Sequence, residues 1–356
     1  MKKLFSGMLA ILILAALVLS GCTSTSTSGS ASDFYKGKTV TILVPNTPAA
    51  VVTRWCRLAA PYFEKITGAQ VMVQNEPAAA GLPARNRIYG ADKPDGLTLM
   101  FTPSGGLWQT WALDEPGTEY DITKFNYLGG ILGTGFAVSV VAGGAYDKAD
   151  TAASIKAMQD AKGFKFGASG AAELPTMAIM VSIVALELDA TITAGYKGSA
   201  GRLLALTQKE IDGMCNPVDS AMRKQDSGQS KLLFLVAQER DKVFPDVPAL
   251  GEFVKFSDRV KKLMKAMIPD PNNPEGSNSQ LVLAPPGTPK DRVEFLRKTW
   301  MTVFEDKNFQ DEVIEMSKFF TGTVSGEELQ KNAAAMAKSK GEFLSLYKDL
   351  MKQVIK

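Results

Sequence analysis

Histidine is absent from all 356 residues. That removes Ser–His–Asp and Cys–His nucleophile arrangements, the commonest general acid–base, and most zinc sites. Cysteine is scarce, at Cys22, Cys56 and Cys215, and three thiols cannot build a disulfide framework. No excess of one charge exists: 40 Lys and Arg stand against 37 Asp and Glu. Nucleic-acid binding calls for a clustered basic footprint, so no nucleic acid is expected as a partner. No metal-ligand cluster or nucleotide loop is evident either, and no cofactor is expected. Gly130, Gly133 and Gly135 have the wrong spacing for a dinucleotide fingerprint. What is present is an ordinary globular composition, 45% hydrophobic and 22% charged. The length favours two domains, at roughly 150 residues each.

Long apolar runs are also few. One occupies residues 8–19, behind Lys2 and Lys3. As a helix it would span about 18 Å, well short of a ~30 Å bilayer core. It has the form of a signal-peptide apolar region, and its end, Leu19-Ser20-Gly21-Cys22, resembles a bacterial lipobox. Residues 1–21 are therefore expected to be a lipoprotein signal peptide, and Cys22 the lipidated N-terminus. Residues 22–33 are rich in Ser, Thr, Gly and Ala, the composition of a flexible tether. The body is expected in the periplasm or cell envelope, held to a membrane by its lipid anchor.

Downstream, strand-like and helix-like segments alternate. Residues 38–45 (KTVTILVP), 70–74, 97–102, 137–142 (AVSVVA), 164–167, 211–216, 232–237 (LLFLVA) and 281–284 read as strands. Residues 51–67, 154–162, 176–187, 203–209, 256–267, 291–306 and 326–356 read as helices. Residues 269–278 (PDPNNPEGSN) read as a surface loop. This alternation predicts an α/β fold with a largely parallel sheet. Ligands in such sheets sit outside the carboxyl ends of strands. Small, polar strand-end loops at residues 46–50, 104–106 and 169–172 precede helices. Helix starts carry unpaired N–H groups and a positive dipole end, so several on one cleft make an anion site without any arginine.

Six stretches, in order, then resemble one family: the extracytoplasmic solute-binding proteins of tripartite tricarboxylate transporters, or Bug-type receptors. They are residues 34–38 with the strand to Pro45, 73–81 (VQNEPAAAG), 92–99 (DKPDGLTL), 196–212 (YKGS with a later ID), 244–248 (FPDVP) and 284–289 (APPGTP). The resemblance implies a two-lobed type II periplasmic binding fold with a hinge between the lobes. Residues 34–135 would form lobe 1, 136–237 lobe 2, and 238–356 a return to lobe 1. It also implies a small organic carboxylate, held largely by loop amides, and membrane-embedded transporter subunits as partners. The chain departs from the family pattern where Ala49, Ala50 and Thr53 replace paired glycines and an acidic residue. A second departure puts Thr176 about where a histidine is usual.

The expected ligand-binding residues follow. In the first lobe they are the Thr47 hydroxyl with the Ala49 and Ala50 amides, together with Ser104 and Gly105. In the second they are Ser169, Gly170, Ala171 and Thr176, then Tyr196, Lys197 and Asn216 at strand ends. Lys197 is read equally as a solvated or interlobe salt-bridging residue. Trp108 and Trp111 share a helix face, either packing in the core or walling the cleft. Glu173 caps a helix or selects a ligand amine. A receptor for transport is the leading function. A signalling receptor, a ligand-free structural lipoprotein, and an envelope enzyme built on Ser169 and Lys197 are the alternatives. No catalytic residue is expected under the leading reading.

Overall fold

The computed structural model describes residues 30–267 and 279–354. Cys22, the apolar run, residues 22–29 of the tether and the loop read at 269–278 lie outside the described residues. Strands and helices alternate in chain order. The first part holds α1 (Ala31–Tyr35), β1 (Thr39–Val44), α2 (Val51–Thr67), β2 (Gln70–Asn75), α3 (Leu82–Gly90), β3 (Thr98–Pro103), α4 (Ser104–Ala112) and β4 (Asn126–Ile131). The second holds β5 (Phe136–Val141), α5 (Thr151–Asp160), β6 (Phe164–Gly167), α6 (Leu174–Leu186), β7 (Ala190–Thr193), α7 (Gly198–Thr207), β8 (Gly213–Pro217), α8 (Val218–Asp226) and β9 (Ser230–Leu235). The chain closes with α9 (Asp258–Met267), β10 (Gln280–Ala284), α10 (Lys290–Glu305), α11 (Lys307–Ser317), β11 (Thr323–Ser325) and α12 (Gly326–Val354).

Two sheets result. One has the order β11-β4-β10-β3-β1-β2 and the other β7-β6-β8-β5-β9. The expectation of largely parallel sheets is corrected: both are mixed. β1 pairs in parallel with β2 and β3, and β6 with β7 and β8. β10 is antiparallel to β3 and β4, and β5 is antiparallel to β8 and β9. The reason lies in delivery. Parallel neighbours need a crossover connection, usually a helix, that returns the chain to the same end. β5 and β10 each enter their sheet from the other one, so no such helix sets their direction.

Helix α2 shows how local chemistry sets an element. Its buried residues Val52, Trp55, Cys56, Ala59 and Phe63 recur at helical spacing and pack on the first sheet. Gly68 ends it in the left-handed region at φ 69°, its amide returning to Glu64 O. Helix α6 is apolar all round and buried from Thr176 to Ile183, as a helix covered on every side must be.

One core cluster gathers Ile42, Val44, Phe63, Phe101, Trp300 and Phe304, and a second gathers Val138, Phe164, Phe166, Ile179 and Phe234. Stretch 238–356, read from the sequence as a return to lobe 1, is divided between them. Phe244 and Val247 join the first cluster, whereas Leu250, Phe256, Val260 and Leu263, with Phe343, Tyr347 and Leu350 of α12, join the second. Val218 and Ala221 of α8 pack in the first cluster, so the two halves share core at their junction. Among the described residues no helix is long and apolar enough to cross a membrane.

Candidate functional site

Five helices, α2, α4, α6, α7 and α8, begin just beyond the C-terminal ends of β1, β3, β6, β7 and β8. The residues before them are Ala50, Pro103, Glu173, Lys197 and Pro217, and none caps its helix with a side-chain hydrogen bond. Ser30, Asp150 and Asp306 do cap α1, α5 and α11 with side-chain oxygens. Uncapped starts also occur at Gly81 and Pro289, after β2 and β10, so an uncapped start at a strand end does not by itself mark a site. Two of their first amides are used inside the protein, Ser104 N–H by Ser279 O and Val218 N–H by Gly135 O, and no side chain takes up the others.

The first-lobe loop is braced from behind. Thr53 Oγ1 donates to Thr47 O at 2.9 Å, and Asn75 Nδ2 donates to Asn46 O at 2.8 Å. Arg57 Nη2 donates to Asn75 Oδ1 at 3.1 Å, steadying the brace. Thr47 and Ala49 stay exposed and Ala50 half-buried. Gly81 makes this possible at φ 82°, because a Cβ there would meet Pro45 O at 2.6 Å. Asn75 thus holds the loop the sequence singled out, although it was read only as part of a motif.

At α4, Ser104 is taken up internally. Its N–H donates to Ser279 O, and its Oγ accepts from Ser279 N–H. Gly105 sits where the two lobes touch: a Cβ on it would lie 2.7 Å from Leu174 Cδ1 at the start of α6. Trp108 is only 7% exposed, packs in a third core cluster, and donates its indole N–H to Tyr127 Oη at 3.0 Å. Of its two readings, the core one describes this geometry.

The second-lobe loop is organised by a residue the sequence reading passed over. Arg202 of α7 is buried, donates to Ser169 Oγ and to Asn216 Oδ1, and lies 3.5 Å from Glu173 Oε2. Ser199 Oγ also donates to Asn216 Oδ1, at 2.7 Å. Arg202 therefore places a buried guanidinium behind the Ser169 loop, a charge the sequence reading did not include. Glu173 is at the helix-start position yet makes no cap; its carboxylate faces Arg202 instead. Burial raises the Glu173 carboxyl, with Arg202 and the Ser169 hydroxyl opposing. Thr176 is buried and donates to Gly170 O at 2.6 Å, fixing the turn. Gly170 and Ala171 remain half-exposed. Tyr196 packs beside Ile211 and Met214, with its ring against Gly167. Lys197 is exposed, with no ion pair among the described residues. One sequence signal could have found Arg202: it is a charged residue set among Gly201, Leu203, Leu204 and Ala205.

Two α/β lobes meeting through uncapped helix starts define a two-lobed binding-protein fold. Residues 55–312 match the tripartite tricarboxylate transporter family receptor, and the chain belongs to that family. A UPF0065 protein of Bordetella pertussis is 25% identical over 237 residues, 63% of this chain and 68% of that protein. MatC from Rhodopseudomonas palustris with bound malate superposes with a TM-score of 0.63 at 20% identity, covering 88% of this chain and 98% of that one. An R. palustris protein with adipate gives a TM-score of 0.67 at 18% identity, covering 87% and 97%. At these identities the structural likeness establishes the fold.

Proposed function

We propose that this protein captures a small organic carboxylate between its lobes and delivers it to a tripartite tricarboxylate-type transporter, tethered to the membrane through Cys22. The contact of Gly105 with Leu174 carries the reading, because it brings together helix starts from both lobes. The Thr47, Ala49, Ala50 and Gly105 positions would face the ligand from lobe 1. The Ser169, Gly170, Ala171, Tyr196 and Lys197 positions would face it from lobe 2, with the buried Asn216 behind them bonding Arg202 and Ser199. Ser104, Trp108 and Thr176 act from behind, shaping the loops. Lobe 1 is assigned to residues 34–135 and lobe 2 to 136–237, with the remainder shared. Closure is a hinge motion driven by ligand contacts made only when the lobes meet.

The test is thermal unfolding of the purified protein with malate, succinate, adipate, citrate or benzoate. A binder at a hundred times its Kd adds about 2.7 kcal/mol to stability. Absence of any shift, after unfolding and refolding to strip co-purified ligand, would sink the reading.

A further inference from the structure

Arg85 lies on the inner face of α3, beside Ala84 and one turn before Tyr89, and is only 4% exposed. Its neighbour Arg87 is paired with Glu76 and Asp92. Arg85 has no carboxylate partner among the described residues, and its Nε is sealed from solvent with no acceptor. A guanidinium stays protonated in proteins. An uncompensated buried charge is strongly unfavourable, so a partner arriving from outside explains its retention. The other buried arginine of the candidate site, Arg202, already has Glu173, Ser169 and Asn216.

The Arg85 fork is aimed at the first turn of α4. A Cβ on Gly106 would sit 2.5 Å from Arg85 Nη2. The residue before it, Gly105, is the one that meets Leu174 of the other lobe. Helix α4 is nine residues long and has no side-chain cap. Its first amide, of Ser104, is used by Ser279 O. The amides of Gly105 and Gly106 follow in the turn that lacks intrahelical acceptors. Gln109 Oε1, also buried without a partner, lies 3.5 Å from the Gly105 Cβ position.

We propose that Arg85 is the anion anchor of the first lobe, its guanidinium taking a ligand carboxylate together with the Gly105 and Gly106 amides. This rests on the receptor reading above and deepens it. The unneutralised charge lies on lobe 1, so the carboxylate loads there first. Arg202, offset by Glu173, orders the closing loop of lobe 2.

The test uses the full-length protein in detergent, with titration calorimetry of succinate, malate, adipate and citrate. The monoamide of the tightest binder serves as control. Arg85→Gln is expected to weaken the acid about 30-fold or more and to collapse the preference for acid over amide. Arg85→Lys keeps the charge but loses the fork, and is expected to retain part of that preference. Acid and amide weakened in equal proportion, or loss of folding in both variants, would show a structural role and overturn the assignment. Arg85→Gln binding within about threefold of wild type would overturn it too, with the receptor reading intact. A wild-type protein responding to none of the four acids would remove that reading and, with it, the carboxylate Arg85 is meant to hold.

Discussion

Lys224 carries a charge that folding makes costly. It is half-buried on α8, its Nζ donating to Ser220 Oγ at 2.6 Å. Burial, then the nearby Arg223 and Arg202 charges, push its ammonium from an ordinary 10.5 down to about 8. A lysine depressed in this way penalises the fold wherever it is charged in both states. The penalty is complete below about pH 8. It is relieved as pH rises from 8 towards 10.5, where the unfolded chain still binds the proton and the folded one does not. Wild-type stability is therefore expected to gain on that of Lys224→Met across this window. Urea unfolding of both proteins from pH 7 to pH 10 measures it, and parallel curves would refute it. Individual roles such as this are the least legible level of the sequence. Arg85 and Arg202 are each one charge in the chain, and their meaning depends on neighbours 21 and 33 residues away, Gly106 and Ser169. The mark they do leave is periodic. Arg85 occupies the buried face of α3 with Ala84 and Ile88, where a helix on a core should present only apolar residues.

Elements are more legible than residues, because hydrophobic period and turn chemistry are local. Helix α2 has the bounds its spacing predicts, Val51–Thr67, and β6 those of its short apolar run, Phe164–Gly167. Strand β4 was missed for a physical reason. Its Gly129 and Gly130 dilute the β-branched pattern, yet a Cβ on Gly130 would lie 2.7 Å from Gln280 O on the paired strand. The loops between these strands and helices are legible because strand ends followed by small residues are a local signal. What packs behind those loops is not local, so Asn75 and Arg202 escaped. The contact between Gly105 and Leu174 belongs to this scale and gives a cycle. Gly105→Val should hold the lobes apart and weaken carboxylate binding about tenfold or more, while Leu174→Ala makes room and restores most of the loss. A coupling energy near zero in the double-mutant cycle would show that the contact does not gate closure.

At the scale of the whole molecule, α12 ties the halves together. Leu329 and Ala333 pack in the third cluster with residues of the first sheet, whereas Phe343, Tyr347, Leu350 and Val354 pack in the second. A rigid helix anchored at both ends would oppose any rotation of one lobe on the other. Its sequence is weakest between the anchors. Ser339 Oγ donates back to Ala335 O at 3.2 Å and to Met336 O at 3.3 Å, a pattern that bends helices. Gly341 follows, with open space where a Cβ would be. Lys340 between them bonds Asp114 and lies 4.1 Å over the Trp111 ring, tying this stretch of α12 to the end of α4. Gly341→Ala should stabilise the chain by about 0.5–1 kcal/mol, the ordinary cost of glycine inside a helix. The described conformation has its lobes in contact, so a stiffer α12 should also hold the ligand-free protein nearer to closure. Binding then loses less to the conformational step. Small-angle scattering with and without the tightest-binding carboxylate should show a smaller ligand-induced compaction in the variant than in wild type. A rise in Tm with the compaction unchanged would mean that glycine affects helix stability alone, and that the lobes turn on the strand crossovers without bending α12.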